Sequence, residues 1–125
     1  MKSDEINLLT LNISSDRRKN VIFITVSGPV NAAQSPRLRE AIGEAFKKEV
    51  QAVIIDMNGV DYMDSSGLAT FVEAVQKAEE RGAKFAILGN MHERIQHLFE
   101  ITRLDGLFLR FQSKEEVLNT IMNDE

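Results

Sequence analysis

The sequence predicts an α/β sandwich, a mixed sheet of four or five strands with about four helices packed against it. Three observations lead there. Short apolar runs rich in Val, Ile and Phe occur at Val21–Gly28, Ala52–Asp56 and Lys84–Leu88. Segments with apolar residues three and four apart lie between them. Strand–helix–strand alternation of this kind makes neighbouring strands parallel, joined by right-handed crossovers.

The elements follow in chain order. Over Leu8–Ile13, apolar Leu9, Leu11 and Ile13 alternate with Thr10 and Asn12, the period of a half-buried strand. The polar stretch SSDRRKN (14–20) is expected to be a turn, so that the first two strands pair antiparallel. Ser35 is expected to be the N-cap and Pro36 the first residue of a helix with Leu38, Ala41, Ile42, Ala45 and Phe46 on one stripe. AVIID (52–56) is a continuous apolar run ending in an acid, as in a central strand covered on both faces. Leu68, Phe71, Val72, Val75 and Ala78 form the stripe of a second helix, which Arg81 and Gly82 terminate with a cation and a left-handed cap. KFAIL (84–88) is another buried strand. A short helix from about His92 carries Ile95, Leu98 and Phe99. LFLRF (107–111) is the last strand, and Ser113 caps a final helix through Val117, Leu118 and Ile121.

The chain has 125 residues, the size of one domain, expected over 1–125. Hydrophobic residues at 43% and charged residues at 27% exclude wholesale disorder. The net charge of -4 argues against a binder of nucleic-acid backbone, which needs a basic face. With no cysteine there is no disulfide scaffold, thiolate metal site or cysteine nucleophile. No apolar run reaches the length of a membrane span, and the first twenty residues do not read as a secretory signal. These features predict a cytoplasmic protein that binds neither membrane nor nucleic acid.

The informative stretch is AVIIDMNGVDYMDSSGL (52–68). It joins a buried strand to a helix at the carboxyl edge of the sheet, the usual functional edge of a parallel sheet. Asp64 or Ser65 can cap that helix, with Ser66 and Gly67 in its first turn. A serine there is open to a kinase. The helix dipole and free N–H groups would favour a phosphate, and phosphorylation would set roughly -1.5 to -2 charges beside Asp64. The fold would survive while a complex would not. The plain alternative is that Asp-Ser-Ser-Gly only starts a helix.

MDSSGL (63–68), preceded by VIIDMNGVDY and followed by a helix and KFAIL, resembles the signature of STAS domains. In particular it is similar to the bacterial anti-sigma factor antagonists. The resemblance runs over nearly the whole chain, from the VSG end of the second strand to ERIQHLFEITRLDGLF (93–108). It implies a STAS-like fold and a partner switch. The unmodified protein would bind an anti-sigma factor that is also a GHKL-type serine kinase with bound ATP, freeing the sigma factor. The kinase would phosphorylate Ser65 and release the complex, and a metal-dependent PPM-type serine phosphatase would restore it. Asn31, Met63, Asp64, Ser66, Gly67 and Leu68 would form the partner-binding surface. The chain would be a substrate and no enzyme, with neither a cofactor nor a metal of its own.

Two places depart from the family pattern. Gly28-Pro29-Val30-Asn31 stands where the family reads Gly-Glu-hydrophobic-Asp, so both acids are missing. Arg103 stands where a glycine follows Thr102, at a helix end that wants a left-handed residue.

Other readings are weaker. A receiver domain would use Asp56 as phospho-acceptor, but it needs paired acids after its first strand to hold Mg²⁺, and Ser14-Ser15-Asp16 does not supply them. A STAS scaffold docking in another signalling or transport assembly, without a Ser65 switch, is compatible with the sequence. A serine hydrolase would need a Gly-x-Ser-x-Gly elbow and a histidine placed against Ser65; His92 and His97 are expected to face solvent. Asp56, Asp61 and Asp64 are expected in a strand end and turns rather than a metal cluster, Met57 and Met63 in the core or at its edge, and Arg17–Lys19 in a solvated turn.

Overall fold

The computed structural model describes residues 10–122. Five strands form one mixed sheet in the order β1 (Asn12–Arg18), β2 (Val21–Ser27), β3 (Ala52–Gly59), β4 (Lys84–Leu88) and β5 (Leu109–Phe111). The β1–β2 pair is antiparallel and the other three pairs are parallel. Four α-helices are described: α1 (Ser35–Phe46), α2 (Ser65–Glu80), α3 (Glu93–Ile101) and α4 (Lys114–Met122). None is long and apolar enough to cross a membrane. The predicted mixed α/β sheet and its parallel crossovers are therefore present.

The alternation of β-strand side chains sorts the core into two layers. Ile22, Ile24, Val53, Ile55, Phe85 and Ile87 point to the face covered by α1, α2 and α3. Val21, Phe23, Ala52, Ile54, Ala86 and Leu88 point to the other, where Val117 and Ile121 of α4 cover them. Strands buried on both sides read as unbroken apolar runs, which is why AVII lacks alternation. Phe71 of α2 anchors the larger layer. Its ring meets Phe85, Phe99 and Phe108 edge-on at 5.6, 6.4 and 6.1 Å, the geometry that aromatic quadrupoles favour.

Several expected boundaries shift. SSDRRKN is not a turn: β1 runs through Arg18 and only Lys19-Asn20 turn back to Val21. Residues 14–18 are exposed, so backbone pairing with β2 is their main hold and their side chains carry no periodic signal. Arg17 and Arg18 thus sit in a strand. Leu8 and Leu9 of the expected first strand lie outside the described residues. Ser35 is not the N-cap of α1. It is buried inside the first turn, while Asn31 one turn earlier accepts the Gln34 N–H on Oδ1 at 3.0 Å and the Ser35 N–H on its carbonyl at 2.7 Å. The last strand begins at Leu109, because Asp105–Leu107 form a 3₁₀ turn. His92 caps α3 with Nδ1 accepting the Arg94 N–H at 3.1 Å, and Ser113 Oγ accepts the Glu116 N–H at 3.1 Å.

Two helix ends use the same six-to-one closure. Ala83 N–H reaches the Ala78 carbonyl and Gly82 N–H that of Glu79; Leu104 N–H reaches the Phe99 carbonyl and Arg103 N–H that of Glu100. Each needs a left-handed residue, Gly82 at φ +67° in one and Arg103 at φ +60° in the other. The expectation drawn from Arg103 therefore holds. A side chain in that conformation costs about 1–2 kcal/mol, so Arg103→Gly is expected to stabilise the protein by about 1 kcal/mol and raise its Tm by about 3–5 °C. Gly82→Ala is expected to do the reverse; thermal unfolding of both variants checks the pair.

Candidate functional site

Beyond the regular ends of β2 and β3, the two chains stay paired. Val30 and Met63 form a parallel bridge, with Val30 N–H donating to the Tyr62 carbonyl at 2.9 Å and Asp64 N–H to the Val30 carbonyl at 3.3 Å. Val30 and Met63 both point inward and are buried. This extension sets the start of α2 against the loop that enters α1.

Asp64 is the N-cap of α2. Its Oδ1 accepts the N–H groups of Ser66 at 2.9 Å and Gly67 at 3.3 Å. Its Oδ2 accepts the Ala32 N–H at 3.1 Å, across from the other loop. One carboxylate thus closes the helix start and ties two loops together. Gly67 is held by contact rather than by φ. A Cβ there would stand 2.6 Å from the Val30 carbonyl oxygen and 2.7 Å from its side chain, so any larger residue drives α2 away from the bridge.

Ser65 is exposed at the first position of α2 and Ser66 is half-buried behind it. The Ser66 carbonyl accepts the hydroxyl of buried Thr70 at 3.0 Å, which stiffens the first turn. Of the four donors that a helix start leaves free, three are taken, by Asp64 Oδ1 twice and by the Val30 carbonyl. The expectation that free N–H groups would favour a phosphate on Ser65 narrows to one donor, the Ser65 N–H, among the described residues. The Ser65 side chain stands exposed one residue from the Asp64 carboxylate, which holds the cap.

The expected surface residues separate into two groups. Asn31 and Asp64 are half-buried and Ser66 likewise, all at the rim. Met63, Gly67 and Leu68, also expected at the partner-binding surface, are buried and shape the rim from below. Asn31 spends its amide oxygen on Gln34. Three residues that matter to this geometry escaped the sequence reading: Val30, Ala32 and Tyr62. The in–out alternation of Tyr62, Met63 and Asp64 is the one signal that points to Tyr62; nothing local marks Ala32 as the partner of Asp64.

The rival constellations are not assembled. Asp56 Oδ1 accepts the backbone and side-chain N–H groups of Asn58, whose own Oδ1 accepts the Asn90 N–H, so Asp56 fastens the ends of β3 and β4. Among the described residues no three His, Asp or Glu side chains converge as metal ligands would. His92 serves as a helix cap, and His97 is exposed on α3.

Removing a cap of this type costs about 1–2 kcal/mol. Asp64→Ala is expected to lose that much in urea unfolding, whereas Asp64→Ser, which restores the cap but not the Ala32 link, is expected to recover about half.

Comparison with known proteins agrees with this geometry. The STAS domain sequence profile matches residues 12–117. The anti-sigma-B factor antagonist of Listeria monocytogenes is 35% identical over 100 residues, 78% of this chain and 87% of the relative. An anti-sigma factor antagonist from Mycobacterium paratuberculosis superposes with a TM-score of 0.76 at 21% identity, covering 90% of this chain and 95% of the other. The Bacillus cell fate determinant SpoIIAA in its phosphorylated form does so at 0.69 and 18% identity, covering 88% and 99%. Fold, sequence profile and the Asp-Ser-Ser-Gly-Leu rim converge, and the chain belongs to the STAS domain family, related to the anti-sigma factor antagonists.

Proposed function

We propose that this protein is an anti-sigma factor antagonist that works as a phosphorylation-controlled partner switch, one cytoplasmic STAS domain with no catalytic activity of its own. The observation that supports the reading is the exposed Ser65 hydroxyl on a rim where three of the four helix-start donors are already engaged. In the unmodified state the rim binds a GHKL-type serine kinase that is also an anti-sigma factor, and the sigma factor is freed. The Ser65 oxygen then attacks the γ-phosphorus of the kinase's ATP. The bond to the bridging oxygen breaks, ADP leaves, and the hydroxyl proton passes to a base on the kinase. A PPM-type phosphatase reverses the change by adding water across the phosphoester, returning serine and inorganic phosphate.

The physical lever is charge at a tight contact. Phosphate adds roughly -1.5 to -2 charges one residue from Asp64. Because three of the four cap donors are occupied, little of that charge is neutralised within the chain. Like charge set against a partner costs several kcal/mol, enough to separate the complex while the core stays intact.

The test is direct. Purified GHKL-type kinases of the source organism are incubated with the protein and ATP, and phosphate is mapped by mass spectrometry. It is expected on Ser65 alone. Ser65→Ala is expected to bind with unchanged affinity and to accept no phosphate, and Ser65→Asp to bind about tenfold more weakly or worse. Unchanged binding by Ser65→Asp would instead favour a STAS scaffold without a switch.

A further inference from the structure

We infer that Pro29 and Tyr62 form an apolar anchor on the rim, which fills a socket on the serine kinase and carries much of the binding energy. The inference rests on the function proposed above and adds the residues that set affinity. Its basis is the register of the two paired chains. Val30 and Met63 are bridged and both point inward. Side chains alternate along extended chains, so the neighbouring row, Pro29 and Tyr62, points outward, as does the following row, Asn31 and Asp64. Tyr62 is 44% exposed although its carbonyl is fixed by the Val30 N–H. Its hydroxyl has no hydrogen-bond partner among the described residues. It is an exposed aromatic side chain on a fixed stretch of backbone.

Charge narrows the occupant. The loop Gly28–Gln34 carries no charged residue, while Asp61 and Asp64 flank Tyr62 in sequence. A partner that fits this rim presents an apolar socket with Lys or Arg beside the exposed Asp61 and none beside Ser65, since the Asp64 carboxylate is already spent within the chain. The other exposed large apolar side chains, Ile101, Leu107 and Leu109, lie on α3, the 3₁₀ turn and β5, and so provide an internal control. Aromatic residues with few rotatable bonds, set in a ring of polar contacts, are the side chains whose truncation most weakens complexes.

The experiment uses the full chain and the nucleotide-bound kinase that phosphorylates Ser65. Affinity is measured by calorimetry for wild type, Tyr62→Ala, Tyr62→Phe and Ile101→Ala, with Tm recorded for each. Tyr62→Ala is expected to bind about tenfold more weakly or worse, with Tyr62→Phe and Ile101→Ala staying within about threefold of wild type and no Tm falling by more than about 2 °C. Tyr62→Ala within about twofold of wild type, while Ser65 is still phosphorylated, overturns the anchor and leaves the switch standing. A wild-type protein that neither binds nor is phosphorylated removes both. If ultracentrifugation shows a wild-type dimer that Tyr62→Ala dissolves, the pair belongs to self-contact and the inference is wrong.

Discussion

The carboxylate of Asp64 is the joint on which this edge of the molecule depends. One oxygen closes the start of α2 and the other holds the loop that leads into α1. Neither loop has regular structure of its own at that point, so their relative placement rests on this group, the Val30–Met63 bridge and the close approach allowed by Gly67. The result is a rim preorganised before any partner arrives. Preorganisation of this kind lowers the ordering cost of association.

The same joint bears on the modification proposed for Ser65. A helix start with open donors would draw an added phosphate inward and partly neutralise it. Here Asp64 and the Val30 carbonyl already engage three of those donors, and the first helical position looks outward. The separation of roles is chemical. In the proposed switch, a permanent anion satisfies the fold and a removable one beside it addresses the partner.

Much of the fold was legible because burial imposes pattern. The runs at β2, β3 and β4 and the stripes of α1 and α2 each report a surface removed from water. Asp64 as a cap was legible too, since Asp-Ser-Ser-Gly is strong local chemistry. What stayed hidden was held by backbone pairing or by distant contacts. β1 beyond Ile13 is exposed and has no period to read. Gln34 rather than Ser35 stands at the start of α1, after an extra turn that Asn31 closes. The buried placement of Met63, Gly67 and Leu68 follows from the Val30 bridge, which joins residues far apart in sequence.

The sheet order has a consequence for how the chain acquires its shape. β1 and β2 are joined by two residues, so their pairing is local and forms on the microsecond scale of hairpins. Every later strand adds through a crossover, and its contacts close only after a longer stretch of chain exists. The hairpin is thus the pair of strands whose contacts are local in sequence, and β3, β4 and β5 extend the sheet outward from β2 in chain order.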